Sequence, residues 1–108
     1  MECIFCKIVK GQQEADIVFE NDQMIAFKDI NPRALVHLLI VSKKHIKSIN
    51  ELEKQDKDLI AQMIFSAKEL AVKQNVAKSG YRLTFCVGRG GGQTVDHLHL
   101  HLIGGSEK

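Results

Sequence analysis

Three histidines alternate with leucines at positions 97, 99 and 101 of the 108-residue sequence. Successive side chains of a strand point to opposite faces, so His97, His99 and His101 are predicted to share one face. A neutral imidazole is a nucleophile near pH 7, and its neighbours can donate protons or hydrogen bonds to a phosphate. The pattern therefore predicts attack on phosphorus at a polar cleft. Histidines two apart on a strand can also share a metal ion, and that alternative stays open.

A glycine-rich segment, Gly88–Thr94, leads directly into the histidine strand. Glycines let backbone amides approach an anion closely, and Gln93 and Thr94 add side-chain donors. The segment lacks the Gly-Lys-Ser/Thr ending of a Walker loop and precedes a strand, so it is not that motif. A glycine run alone is typical of a flexible hairpin. Its position beside the histidines is what favours an anion-binding loop.

Two cysteines near the start of the sequence, Cys3 and Cys6, have the spacing of metal-binding thiolates. From spacing alone, a metal site and a pair of small buried cysteines are equally good interpretations. The sequence has three cysteines, which cannot all pair within one chain, and Cys3 and Cys6 are too close for an ordinary structural disulfide. We therefore expect a reduced, cytoplasmic protein.

The elements that must position these residues follow from hydrophobic periodicity. Alternating or continuous apolar runs bounded by turn residues predict strands. The turn Asn21-Asp22 joins the first two of them as a hairpin. The predicted strands cover residues 16–21, 24–30, 35–42, 81–87 and 97–103.

One long helix is predicted between the third and fourth strands. Apolar residues from Leu59 to Ala71 recur at three- and four-residue spacing, which gives the helix one apolar stripe. Upstream, Ser48–Glu51 matches a capping box at a helix start. The leucines between the histidines are expected to pack on the core, against this stripe. The order of elements predicts an α+β domain with an antiparallel sheet, as a single domain over residues 1–108.

The composition excludes several classes of partner. The formal net charge is only +2 and the basic residues form no long block, so nucleic acid is not an expected partner. No apolar stretch reaches the length of a membrane span, and the first residues lack the pattern of a signal peptide. A small anionic ligand remains compatible with this charge distribution.

The segment Gly91–Ile103 resembles the signature of the histidine triad superfamily, in which three histidines alternate with apolar residues and two more apolar residues follow. Segments 3–8, 26–30 and 42–46 occur in the family's order and spacing, so the resemblance extends over nearly the whole chain. The compact length is similar to that of the Hint branch, the histidine triad nucleotide-binding proteins.

The resemblance implies a fold and an activity. The fold is a five-stranded antiparallel sheet with one long helix and a short N-terminal helix or turn, joined in a homodimer to form a ten-stranded sheet. The activity is hydrolysis of purine nucleoside 5′-phosphoramidates, in which AMP is linked through nitrogen to an amine, by way of a nucleotidyl-histidine intermediate. The alternatives are a dinucleoside polyphosphate hydrolase, a non-catalytic nucleotide-binding module that regulates a partner, and a metal-storage protein.

The resemblance also assigns roles by position. It makes His99 the nucleophile and Asp29 the group that binds the ribose hydroxyls, in keeping with a carboxylate's capacity to accept two hydrogen bonds. The residues expected at the α-phosphate are His101, Thr94 and Gln93. The other residues expected to bind the nucleotide are Phe5, Phe27, Ile30 and Gly92.

A zinc site is implied as well. Many bacterial members of the family carry the same cysteine pair and bind a structural zinc ion, which by position would be held here by Cys3, Cys6, His45 and His97. Such a closed site has no open coordination position, so the metal would anchor the N-terminus and catalysis would need no cofactor. His37, within the third strand, is interpreted as a buried histidine without a role.

Overall fold

The computed structural model describes residues 3–107, with side chains for residues 3–105. Residues 1, 2 and 108 of the predicted domain lie outside this range. Five strands form one antiparallel sheet in the order β1-β2-β3-β5-β4. The strands are β1 (Ile17–Glu20), β2 (Met24–Lys28), β3 (Ala34–Ser42), β4 (Tyr81–Phe85) and β5 (His99–Glu107). The predicted α+β architecture with a five-stranded antiparallel sheet is confirmed.

The structure has one short N-terminal helix and one long helix, as expected. The short N-terminal helix is α1 (Ile4–Val9), and the long helix is α2 (Lys57–Lys73). Three one-turn 3-10 helices, Ile49–Glu51, Lys54–Asp56 and Arg89–Gly91, lie in the connections. Within the described residues, no helix is long and apolar enough to cross a membrane.

The main core lies between α2 and one face of the sheet. The buried stripe of α2 includes Met63, Ala67 and Leu70, as its periodicity predicted, whereas Ile64, which has the same spacing, is exposed. These side chains pack in one cluster with Leu100 and Leu102 of β5, which are almost completely buried. The expected packing of the leucine face against the helix stripe is confirmed. Burial of apolar surface contributes about 25 cal/mol per Å², so this contact helps to hold β5 against the helix.

The start of the long helix differs from the prediction. The Ser48 hydroxyl accepts a hydrogen bond from the Asn50 amide and donates one to the Glu51 carboxylate, at 3.1 and 2.6 Å, so it caps the first 3-10 turn. Leu52 then has extended backbone dihedrals and ends that turn. The helix α2 begins only after Asp56, whose carboxylate accepts from the Glu53 amide at 2.9 Å. A capping pattern of this kind can precede an α-helix or a 3-10 turn. Here the extended backbone of Leu52 ends the turn, so no α-helix follows directly.

The histidine strand also begins later than predicted. β5 starts at His99, and His97 lies in the bend before it. The amide of Leu98 donates to the Ile46 carbonyl at 2.7 Å, beyond the end of β3, so residues 97 and 98 leave the regular ladder. The predicted strand start is therefore two residues too early. The ring of His97 still packs against Phe5, as that of His99 does, with ring centroids 6.0 and 5.0 Å apart, so the three histidines share one side of the sheet.

Candidate functional site

The sheet face opposite α2 carries the polar residues. In the register of the sheet, His101 on β5 pairs with Leu39 on β3 and Thr84 on β4. His37 stands two residues from Leu39, so its side chain is on the same face as that of His101. The strand β3 thereby brings a fourth histidine to the site. Sequence reasoning gave His37 no role, because its position beside His101 depends on a strand register that the sequence does not state.

His99 is buried and held in one tautomer. Its Nδ1 atom lies 2.6 Å from the carbonyl oxygen of His97, and its side chain is only 5% exposed. Since a carbonyl can only accept, Nδ1 carries the proton and Nε2 keeps its lone pair. Burial lowers the pKa of His99, which is opposed by the hydrogen bond to His97 and by the charge of Asp29. The ring is therefore neutral at pH 7, with a nucleophilic Nε2.

His37 and His101 form a second pair of rings. The Arg33 amide donates to Nδ1 of His37 at 3.1 Å, and Nε2 of His37 lies 3.0 Å from Nδ1 of His101. Burial lowers the pKa of both rings, and the neighbouring His99 and His37 help to lower the pKa of His101 to about 4. Two neutral rings in this order put protons on Nε2 of His37 and on Nε2 of His101. His101 is then a hydrogen-bond donor.

Two cavities meet beside these rings. Asp29, Thr94 and His101 line both of them. The smaller one has a volume of about 270 Å³ and is mainly apolar, with Phe5, Ile8, Phe27, Ile30, Leu39, Val95 and His99 among its lining residues. The larger one has a volume of about 600 Å³ and is polar, with Asn31, Arg33, His37, Arg82, Thr84, Cys86 and Gly92 among its lining residues. A flat apolar group fits the first cavity and a charged group fits the second.

The expected nucleotide-binding residues occupy different depths of the smaller cavity. Phe5 and Phe27 are buried and contact each other edge to face, with ring centroids 5.6 Å apart. Ile30 is 90% exposed and stands at the rim. The Asp29 carboxylate accepts from the Asn31 amide at 2.8 Å through one oxygen, and the other oxygen lies 3.4 Å from Nε2 of His37. The structure thus brings Phe5, Phe27, Asp29 and Ile30 together around the smaller cavity, whereas Gly92 lines only the larger one.

The glycine loop places Gln93 differently from the expectation. Gln93 is 3% exposed, and it lines neither cavity. Its Oε1 accepts from the Gly88 amide at 2.8 Å, while its Nε2 donates to the carbonyls of Lys47 and Val95 at 2.7 and 2.9 Å. Every polar atom of its side chain is therefore committed to the backbone, so the predicted contact with a phosphate needs correction. Thr94, one residue later, faces both cavities.

The four expected metal ligands converge at the N-terminal helix. Nδ1 of His97 lies 3.2 Å from the Cys3 sulfur, and Nδ1 of His45 lies 3.0 Å from the Cys6 sulfur. The two sulfurs are 3.1 Å apart, and all four donor atoms lie within 4.8 Å of one another. Burial and the adjacent Cys3 sulfur raise the pKa of the Cys6 thiol.

The orientation of the His97 ring also fits a role as a metal ligand. Its Nε2 lies 2.6 Å from the Ser42 carbonyl, so Nε2 donates and Nδ1 turns its lone pair to the two sulfurs. Metal-binding histidines commonly donate their second nitrogen to a carbonyl in this way. Two sulfurs and two imidazole nitrogens are the donor set of a closed tetrahedral site. Cys3, Cys6, His45 and His97 could therefore hold a metal ion, at a site separate from the two cavities.

Comparison with known proteins agrees with this geometry. Residues 2–108 match the family model described as the scavenger mRNA decapping enzyme C-terminal binding domain. The chain is 38% identical over 104 residues to the purine nucleoside phosphoramidase of Escherichia coli, an alignment that covers 96% of this chain and 87% of that protein.

Two solved structures show the same fold. A HIT family hydrolase from Legionella pneumophila superposes with a TM-score of 0.95 at 48% identity, over 98% of this chain and 95% of that one. A histidine triad protein from Clostridium difficile superposes with a TM-score of 0.94 at 35% identity, over 100% of this chain and 94% of that one. The chain belongs to the histidine triad family of nucleotide hydrolases.

Proposed function

We propose that this protein hydrolyses purine nucleoside 5′-phosphoramidates with His99 as the nucleophile. The observation that carries the proposal is the 2.6 Å contact between Nδ1 of His99 and the His97 carbonyl, which leaves Nε2 unprotonated. A nucleophile must also be oriented, and the edge-to-face contact of His99 with Phe5, with ring centroids 5.0 Å apart, restricts rotation of its ring. The E. coli relative named a purine nucleoside phosphoramidase supports this substrate class.

The two cavities suggest how a nucleotide would bind. The purine would enter the apolar cavity between Phe5, Phe27 and the rim residue Ile30, and Asp29 would accept hydrogen bonds from the ribose hydroxyls. The α-phosphate would then lie where the cavities meet, beside Thr94 and His101. At that point His101 donates from Nε2 and Thr94 from its hydroxyl, and the backbone of Gly92 lines the adjacent larger cavity.

The reaction would take place in two displacements at phosphorus. Nε2 of His99 attacks, a phosphorus–nitrogen bond to the enzyme forms, and the phosphorus–nitrogen bond to the amine breaks. The amine leaves with that electron pair and takes up a proton. Water then attacks the nucleotidyl-histidine, the bond to Nε2 breaks, and the nucleoside monophosphate is released with the water proton returned to solvent. Donors that meet the growing charge on the phosphate oxygens accelerate both displacements.

The metal would have a structural role. We infer that Cys3, Cys6, His45 and His97 hold zinc, because thiolate and imidazole donors in a closed set of four favour it. A bound zinc ion would supply no Lewis acid to the substrate, since its four ligands come from the protein. It would connect α1, which carries Phe5, to the bend before β5, and so define one wall of the apolar cavity.

We also propose that the protein forms a homodimer and that it is located in the cytoplasm, where its cysteines stay reduced. Within the sheet, β4 is an edge strand, and the helix α2 exposes the apolar side chains of Ile64, Phe65 and Val72. Pairing of two β4 edges would cover the strand and extend the sheet to ten strands. The three cysteines are unpaired, which suits the cytoplasm. Light scattering of the purified protein tests the dimer.

The experiment that tests the activity compares the parent protein with His99→Ala on adenosine 5′-phosphoramidate. We expect turnover in the parent and its loss in a variant that retains the parent's circular dichroism spectrum. Mass spectrometry of acid-quenched parent should show one added nucleotidyl group, and His99→Ala should show none. A correctly folded parent that binds AMP but does not turn over the phosphoramidate would reject the proposal in favour of a binding module.

A further inference from the structure

The larger cavity carries positive charge that the proposed chemistry does not use. Arg33 and Arg82 both line it, and both side chains are exposed. Among residues 3–105, neither guanidinium has an ion-pair partner, whereas Arg89 lies 3.1 Å from the Asp96 carboxylate. Among the residues whose side chains are described, Asp29 is the only carboxylate that lines this cavity, and it already contacts the Asn31 amide and the ring of His37.

The position of this cavity relative to the nucleophile indicates which part of a substrate would occupy it. His99 lines the apolar cavity, and His101 lies where the two cavities meet. From His101 the larger cavity continues along β5 to Ile103 and across to Arg82 on β4, away from His99. A displacement at phosphorus runs roughly in line, so the group that leaves lies opposite the nucleophile. The larger cavity is therefore on the side of the leaving group.

The two guanidiniums also act on the rings of the site. The charge of Arg33 helps to lower the pKa of both His37 and His101, and the charge of Arg82 helps to lower the pKa of His37. Their fields therefore reach the groups beside the scissile bond. An anion on the leaving group would lie between these two guanidinium groups, beside the neutral rings of His37 and His101. Guanidinium groups bind carboxylates and phosphates through paired hydrogen bonds.

We propose that the preferred leaving group carries an anion, a carboxylate or a phosphate, that Arg33 and Arg82 recognise. The inference rests on the proposed function and names its substrate class more closely. A leaving amine of the amino-acid class satisfies it, because the amine nitrogen is bonded to phosphorus and the carboxylate extends into the larger cavity. When the phosphorus–nitrogen bond breaks, the amine takes the electron pair and a proton, and the carboxylate is unchanged. A polyphosphate leaving group also presents an anion; in that case a phosphorus–oxygen bond breaks, and the departing phosphate keeps the electron pair.

The test uses two adenosine 5′-phosphoramidates that differ only in charge, one made from glycine and one from glycinamide. Because a hydrogen bond to a charged group contributes more than a neutral one, we expect the parent to favour the glycine compound by about tenfold in kcat/KM. Arg33→Met combined with Arg82→Met should remove this preference and retain turnover of the glycinamide compound. The matched control is Lys73→Met, which removes one exposed charge from α2 and should leave the preference intact.

A third substrate, diadenosine triphosphate, identifies the anion. If the double variant loses turnover of this compound, and the parent prefers it to the glycine compound, the recognised anion is a phosphate. A stronger effect on the glycine compound assigns a carboxylate. Equal turnover of the glycine and glycinamide compounds, unchanged in the double variant, would overturn the inference and leave the proposed hydrolase standing.

Binding measurements test this inference independently of the proposed function. Calorimetric titration of His99→Ala with the glycine and glycinamide compounds reports recognition without turnover. A preference for the glycine compound that depends on Arg33 and Arg82 supports the inference even if the parent hydrolyses neither compound, in which case only the proposed function fails. Equal affinities for the two compounds would overturn the inference independently of catalysis.

Discussion

Nε2 of His37 lies 3.0 Å from Nδ1 of His101, and this contact determines the direction in which His101 can donate. The Arg33 amide occupies the other nitrogen of His37, so the proton between the two rings belongs to His37. His101 then keeps its own proton on Nε2. A histidine on the neighbouring strand thereby sets the tautomer of a histidine beside the phosphate position, which is a positioning role.

Replacement of His37 tests this relationship. His37→Phe should keep the buried volume but leave Nδ1 of His101 without a donor, so that His101 can place its proton on the wrong nitrogen. We expect kcat/KM for adenosine 5′-phosphoramidate to fall by about ten- to a hundredfold, with most of the loss in kcat, because one donor to the transition state becomes misdirected.

The conservative variant distinguishes positioning from stability. His37→Gln can present a donor near the original Nε2 and should recover much of the lost kcat, whereas a purely structural effect would lower both variants in proportion to their melting temperatures. Equal kcat in the parent and His37→Phe would show that His101 does not depend on His37.

The low pKa of His101 predicts how stability changes with pH. Its pKa is about 4 in the folded protein, below the 6.5 of a histidine in water. Between these values the unfolded chain binds more protons than the folded one, so stability is complete above pH 6.5 and is lost as pH falls toward 4. We expect His101→Gln to reduce the fall in melting temperature across this interval. A variant that loses stability as steeply as the parent would contradict the low pKa.

Much of this site could be anticipated because it depends on local rules. The alternation of strand side chains gave His99 and His101 one face, and helical periodicity gave α2 its buried stripe. The resemblance placed Cys3, Cys6 and His45 beside His97, and the structure brings their donor atoms together. These are features of spacing within a segment, or of a pattern shared by a whole family.

The remaining features depend on contacts between distant segments. His37 on β3 and Arg82 on β4 reach the site only because β5 lies between these two strands. The sequence of a single strand does not reveal the order of strands in the sheet. His97 leaves the strand because its neighbour bonds to Ile46, a backbone contact that alternation does not anticipate. Gln93 turns inward partly for the same reason, since its amide donates to the Lys47 carbonyl of a distant segment as well as bonding to Gly88 and Val95 of its own loop.

The buried amide of Gln93 predicts a loss of stability on substitution. Gln93→Leu would remove the hydrogen bonds that the side-chain amide makes with the Gly88 amide and with the Lys47 and Val95 carbonyls, although the Val95 carbonyl still accepts from the His97 amide at 2.9 Å. A hydrogen bond contributes about 0.5–1.5 kcal/mol, so we expect the loss of three to lower the free energy of unfolding measured with urea by about 1–3 kcal/mol. Gln62→Leu, on an exposed position of α2, is the matched control and should change it by less than about 0.5 kcal/mol. A loss of activity at unchanged stability would instead indicate that Gln93 contacts the phosphate.

Removal of the metal should lower the melting temperature markedly and the rate of turnover only slightly. We expect the purified protein to contain about one zinc ion per chain, because two thiolates and two imidazoles complete a tetrahedral set. Cys6→Ser should lose the metal and melt at a lower temperature, while Cys86→Ser should keep it, since Cys86 lines the larger cavity and not the metal cluster.

Below its melting temperature the chelated parent should still turn over adenosine 5′-phosphoramidate, because the four protein ligands leave no coordination position for substrate. Metal analysis, calorimetry and the activity assay on the same samples check this expectation. Activity that vanishes on chelation and returns with zinc, at a temperature where the chelated protein is folded, would mean that the ion contributes to the site beyond anchoring α1.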